Sequence, residues 1–232
     1  MTELFVTGAR IDWERVGKNS WLRRIPALNG LGEISFRKNV TFLAGENGSG
    51  KSTLLEAIAV ASGFNPEGGT RNYRFCTYEE TPELGQAMTL IRGYRRPATG
   101  FFFRAETFFN LATAAVREYE SFENYHEKSH GEGFLSFIEG FDKAGLYLMD
   151  EPEAALSPMR QLELLRHIHT LAEAGAQFIV VTHSPFLLGL PGAEILSLSE
   201  KGLVPCAYEE TESFRITEMF LRHRQTMLKE LL

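Results

Sequence analysis

Eight consecutive residues, Gly45-Glu46-Asn47-Gly48-Ser49-Gly50-Lys51-Ser52, match the pattern GxxxxGK[ST] in full. Glycines at those places let backbone N–H groups turn inward around a chain of phosphates, where side chains would block the approach. Lys51 then neutralises the β- and γ-phosphate oxygens and the Ser52 hydroxyl ligates Mg²⁺. The start of a following helix adds its own positive field. Asn47, Gly48, Ser49, Gly50, Lys51, Ser52 and Thr53 are thus the candidate phosphate-binding residues. Further along, Leu146-Tyr147-Leu148-Met149 runs into Asp150-Glu151-Pro152. A carboxylate at Asp150 suits the metal, and a second at Glu151 suits a general base acting on a water in line with the γ-phosphate. A strand-terminal acid pair that merely caps the next helix is the competing reading, and Lys51 tips the balance towards chemistry. Phe178–Thr182 delivers His183 in the same manner, 33 residues after Asp150, as a sensor of the γ-phosphate. His167 and His169 read as structural or surface histidines.

These side chains converge only if the elements before them are neighbouring parallel strands, because ligands bind at the carboxyl ends of such sheets. Val40–Ala44 reads as a buried strand and Lys51 to about Ser62 as a helix stopped by Gly63. Residues 3–8 and 33–36 look like short strands. The stretch from Gly63 to Gly100 is punctuated by Gly68-Gly69, Pro82 and Pro97 around strand-like runs at Ala87–Gly93 and Phe101–Arg104. Helices are expected at about 107–120 and from Ser129 to Phe141. Another is expected from Pro158 to Ala174, with Ser157 as N-cap and Gly175 at its end. The tail, roughly 211–232, reads as one or two amphipathic helices with Met219, Phe220, Met227, Leu228 and Leu231 as buried candidates. Apolar strands alternating with helices give an α/β fold with a mainly parallel sheet flanked by helices and N-terminal antiparallel strands. One domain, 1–232, is expected, with residues 64–128 as an inserted lobe.

Composition narrows the partners. A formal net charge of −6 disfavours a surface that wraps nucleic acid all round. Arg71, Arg74, Arg92, Arg95, Arg96 and Arg104 nonetheless leave room for a local basic patch, and so for nucleic acid or a partner protein docking on the lobe. Cys76 and Cys206 stand alone, without the spacing of a zinc site or a disulfide framework. No run has the length of a membrane span or a signal peptide, so a soluble, cytoplasmic chain is expected.

GENGSGKS, an apolar strand with DEP and a strand with THS, in that order, resemble the ATP-binding cassette ATPases over most of residues 40–185. The resemblance implies a P-loop ATPase that binds ATP and Mg²⁺ and dimerises on ATP. It also implies a signature motif reaching the partner's nucleotide, for which Lys128-Ser129-His130-Gly131-Glu132 is in the right place. Ser129 and Gly131 would then face the other subunit's γ-phosphate, although Ser129 and Glu132 also form a capping box for the helix that follows. Ala155-Leu156-Ser157-Pro158 resembles the family's D-loop. The family's glutamine contact to Mg²⁺ and the attacking water falls to Glu106, with Gln86 as the alternative. Trp21 and Phe36 are candidates for the adenine-stacking aromatic, with core packing as the competing role.

Only 77 residues separate Lys51 from Ser129, without heptads, so long coiled-coil arms are absent. DEPEAALSP and THSP look more like the soluble, repair-type and small predicted ATPases of the family than like transporter subunits. Two other readings stay open, an energising subunit of a membrane transporter and a weakly hydrolysing, ATP-sensing interaction module in repair or defence.

Overall fold

A computed structural model describes residues 3–71, 82–105, 138, 140–141 and 144–232. In chain order the strands are β1 (Val6–Ile11), β2 (Glu33–Ser35), β3 (Val40–Ala44), β4 (Gly69–Thr70), β5 (Met88–Arg92), β6 (Thr99–Arg104), β7 (Gly145–Asp150), β8 (Gln177–Val181), β9 (Glu194–Ser199) and β10 (Gly202–Pro205). The α-helices are α1 (Lys51–Ser62), α2 (Glu83–Ala87), α3 (Pro158–Glu173), α4 (Pro185–Leu188) and α5 (Glu212–Leu231).

Apolar runs without polar alternation need cover on both faces, and β3, β7 and β8 obtain it in the middle of a seven-stranded sheet ordered β10-β9-β3-β8-β7-β6-β4. The five inner strands are parallel, and β10 and β4 close the two edges antiparallel. Side chains alternate between two cores, as a strand's period of two requires. Leu146, Leu148, Ile179 and Val181 face α1 and the small sheet, while Tyr147, Met149, Phe178 and Val180 face α3 and α4. The small sheet, β2-β1-β5, is antiparallel throughout.

Of residues 64–128, β4 and β6 enter the large sheet and β5 the small one. Residues 72–81 and 106–128, and most of the helix expected from Ser129, lie outside the described residues. The hairpin of β9 and β10 is an addition to the strands read from the sequence, and β9 flanks β3 on the side away from β8.

The tail corrects an expectation. It forms the single helix α5, which bends at His223, and none of its residues is buried. Met219, Phe220 and Leu231 are exposed, and Met227 and Leu228 half-buried. An amphipathic pattern shows that a face favours cover, not that the same chain supplies it. Anchorage is at the first turn. Tyr208 stacks obliquely on Phe214 with ring centroids 4.7 Å apart, and its hydroxyl donates to the Pro185 carbonyl at 3.0 Å.

One buried side chain joins the two sheets. Gln177, 1% exposed, accepts from the Phe5 and Val6 N–H groups at 2.9 and 3.0 Å through Oε1, and its Nε2 donates to the Val6 carbonyl at 2.7 Å. Gln177→Leu keeps the volume and orphans three main-chain groups, so urea denaturation should show a loss of about 3 kcal/mol. A loss below about 1 kcal/mol would mean that the join does not depend on those bonds.

Candidate functional site

Register brings the chemistry to one line. Leu196, Leu43, Val181, Asp150 and Arg104 pair successively across β9, β3, β8, β7 and β6, forming one row across the large sheet. The glycine-rich loop, His183 and Glu151 all emerge within two residues of that row, at the carboxyl edge where parallel sheets bind ligands.

The loop folds around its own lysine. Lys51, 5% exposed, donates to the Gly45 carbonyl at 2.9 Å and the Glu46 carbonyl at 2.7 Å. An ammonium carries three protons, so a phosphate oxygen can join or displace those carbonyls. Burial pushes the Lys51 ammonium below its ordinary pKa, while Glu151, Asp150 and Glu212 pull it back up. Ser49 Oγ is buried without a hydrogen-bond partner, a donor suited to an anion in the loop. Asn47 and Gly48 are exposed at the loop's tip, and Thr53 sits half-buried in the first turn of α1. Ser52 Oγ donates to Asp150 Oδ1 at 2.9 Å, joining α1 to β7.

Glu151 is, among the described residues, the single non-glycine with positive φ, at 48°. Such backbone costs on the order of 1–3 kcal/mol and persists where the surroundings over-determine it. Here the Glu151 N–H donates to the Val181 carbonyl at 2.9 Å, and Pro152–Ala155 coils into a 3-10 turn behind it. His183 follows β8 with its Nε2 buried and without a hydrogen-bond partner.

Beside the loop lies a cavity of about 730 Å³, lined by Pro26, Ala27, Gly45–Ser49, the end of β9 and the first turn of α5, with Glu212, Arg215 and Ile216. The β9 end and the α5 turn were missed as site elements in the sequence, where neither carries a motif. Neither candidate aromatic lines this cavity. Trp21 is 54% exposed on the turn Trp21–Arg24, and Phe36 is buried in the core. Gln86 also lies apart. Its helix α2 packs beside Val60, eight residues and about 12 Å along α1 from Ser52. Glu106, Ser129 and Gly131 lie outside the described residues, as do Arg74 and Cys76. The remaining arginines of the sequence patch bond within their own chain. Arg92 donates to the Ala61 carbonyl, Arg95 to Glu3, Arg96 to the Gly93 carbonyl and Arg104 to Glu56, while Arg71 lies over the Phe64 ring.

Two family models match the sequence, one described as "AAA domain" over residues 27–128 and one as "AAA domain, putative AbiEii toxin, Type IV TA system" over residues 132–189. No curated protein matches the chain. Among solved structures, an inward-facing conformation of "a putative metal-chelate type ABC transporter" is 15% identical with a TM-score of 0.50, covering 94% of this chain and 89% of that one. The fold is that of an ABC-type P-loop ATPase. The chain is also similar to MJ1267, an ATP-binding cassette of an ABC transporter, at 16% identity and a TM-score of 0.48 over 97% of this chain and 98% of that one. In this fold the glycine-rich loop follows β3, the acid pair Asp150-Glu151 lies at the end of β7, and His183 follows β8. No described helix is long and apolar enough to cross a membrane.

Gly50 has little freedom to change within this loop. Its φ is 97°, and a Cβ would lie 2.8 Å from Leu28 Cδ1. Gly50→Ala should lower stability by about 1–3 kcal/mol in urea titrations. An unchanged midpoint would mean that the loop relaxes at no cost.

Proposed function

We propose that this chain is a cytoplasmic ATPase that binds Mg-ATP on residues 45–53 and hydrolyses it to ADP and phosphate, cycling through an ATP-driven homodimer. The observation that carries the reading is the convergence of Lys51, Ser52, Asp150, Glu151 and His183 on one sheet edge, tied together by the Ser52–Asp150 bond. Lys51 offers its charge to the β- and γ-phosphates, and the loop's backbone N–H groups with Ser49 complete the cradle. Ser52 and Asp150 would hold Mg²⁺, since they are hard oxygen donors already in contact. Glu106 joins them by sequence position. When bound, the ion neutralises phosphate oxygens. Glu151 takes a proton from the attacking water, whose oxygen bonds to the γ-phosphorus as the bond to the ADP oxygen breaks. His183 contacts the γ-phosphate, and the cavity beside the loop takes the nucleoside. Ser129 and Gly131 complete the partner subunit's pocket.

Two variants separate binding from chemistry. Lys51→Ala should weaken ATP affinity on the order of 100-fold or more by isothermal titration, because a buried triphosphate loses its main counter-charge. Glu151→Gln should keep that affinity and slow hydrolysis by about 100-fold or more, the scale of a lost general base. Unchanged affinity in the first, or near-normal turnover in the second, would refute the corresponding assignment. Dimerisation is read on the same Glu151→Gln protein. With saturating Mg-ATP it should sediment as a dimer and without nucleotide as a monomer. A monomer under both conditions would refute the ATP-driven dimer.

A further inference from the structure

The chain leaving β8 must turn into α4 within three residues, and the His183 and Ser184 N–H groups fall off the sheet ladder, where each needs an acceptor. Glu153 supplies it from across the site. Its Oε1 accepts from the His183 N–H at 2.6 Å and from the Ser184 N–H at 3.1 Å, the latter shared with Thr182 Oγ1 at 3.0 Å. Glu153 belongs to the 3-10 turn directly behind Glu151, thirty positions earlier in the chain.

Two buried atoms show how specific the placement is. The second carboxylate oxygen of Glu153 is buried and has no hydrogen-bond partner, an arrangement that costs about 1–3 kcal/mol or more for a charged group. A carboxylate held at that cost has been placed for its other oxygen. Meanwhile His183 Nε2 is buried without a partner, so no bond from that atom fixes the ring, and its place is set through the main chain that Glu153 grips. The Glu151 N–H on the Val181 carbonyl closes the same unit from the other side. Residues 151–155 and 181–184 are thereby clamped to each other.

We infer that Glu153 is a positioning residue that sets the distance between Glu151 and His183 by holding the His183 main chain, without itself touching ATP. The inference rests on the proposed role of His183 at the γ-phosphate. Because the phosphate loop grips ATP independently of this clamp, losing it should alter turnover and spare affinity.

The experiment measures kcat for Mg-ATP hydrolysis and Kd for ATP in wild type, Glu153→Ala, Glu153→Gln, Glu153→Asp, His183→Ala and the Glu153→Ala/His183→Ala double variant. Glu153→Ala should lose about tenfold or more in kcat with Kd within about twofold of wild type, the scale of a displaced contact. Glu153→Gln keeps an oxygen at the right reach and should recover to within about threefold of wild type. Glu153→Asp is one methylene short and should be slower than the Gln variant. The double variant should be no slower than His183→Ala, since a residue acting only through His183 has nothing left to position. Multiplied losses in the double variant, loss of ATP affinity in step with kcat, or an Asp variant faster than the Gln variant would each overturn the inference. Should Glu153→Ala fail to fold, the ranking of Gln above Asp decides alone. A His183→Ala protein with full turnover, by contrast, would refute the role of His183 itself and the inference with it.

Discussion

Pairing of Leu43 and Asp150 with Val181 fixes three strand ends at one height, and the site inherits its geometry from that row. Asp150 ends β7, and Glu151 and His183 follow one and two residues beyond strands that are buried on both faces. A slip of one residue in any of the three would invert that strand's side chains between the two cores and carry its functional residue off the edge. The Ser52–Asp150 bond then fixes α1 to β7 across the intervening β8, so the helix start and the acid pair cannot drift apart.

Electrostatics at this edge are set for an anion. Lys51 is buried, and desolvation makes its charged form costly, while two loop carbonyls and the carboxylates of Glu151, Asp150 and Glu212 compensate in part. A bound triphosphate would replace weak dipoles with full charges and relieve that cost. The strained Glu151 backbone lies at the same edge, where it turns the chain out of β7 into the 3-10 turn that follows.

The parts legible in the sequence were those where a continuous apolar strand ran straight into its polar residue. Each of GENGSGKS, DEP and THS stands at the end of an apolar strand, so the α/β fold and the order of the motifs could be read together. Long-range pairing was less visible. Gln177 and Glu153 look like ordinary strand and turn residues, yet each bonds main-chain N–H groups at least thirty positions away. Strand β9 alternates serines with leucines, and neither it nor β10 carries a motif. Trp21 and Phe36 sit upstream of the loop in the chain but not beside it in space. The apolar stripe of α5 was correctly read as a stripe, while its burial depended on a covering surface that periodicity does not encode.

The proposed function centres on hydrolysis of Mg-ATP at the edge that gathers Lys51, Asp150, Glu151 and His183. The most direct measurement is a single-turnover reaction with wild-type protein in excess over γ-labelled ATP, run with Mg²⁺ and with chelator. Phosphate should be released with Mg²⁺ and not with chelator. Saturable ATP binding in Mg²⁺ with phosphate release no faster than in protein-free buffer would contradict hydrolysis at this site.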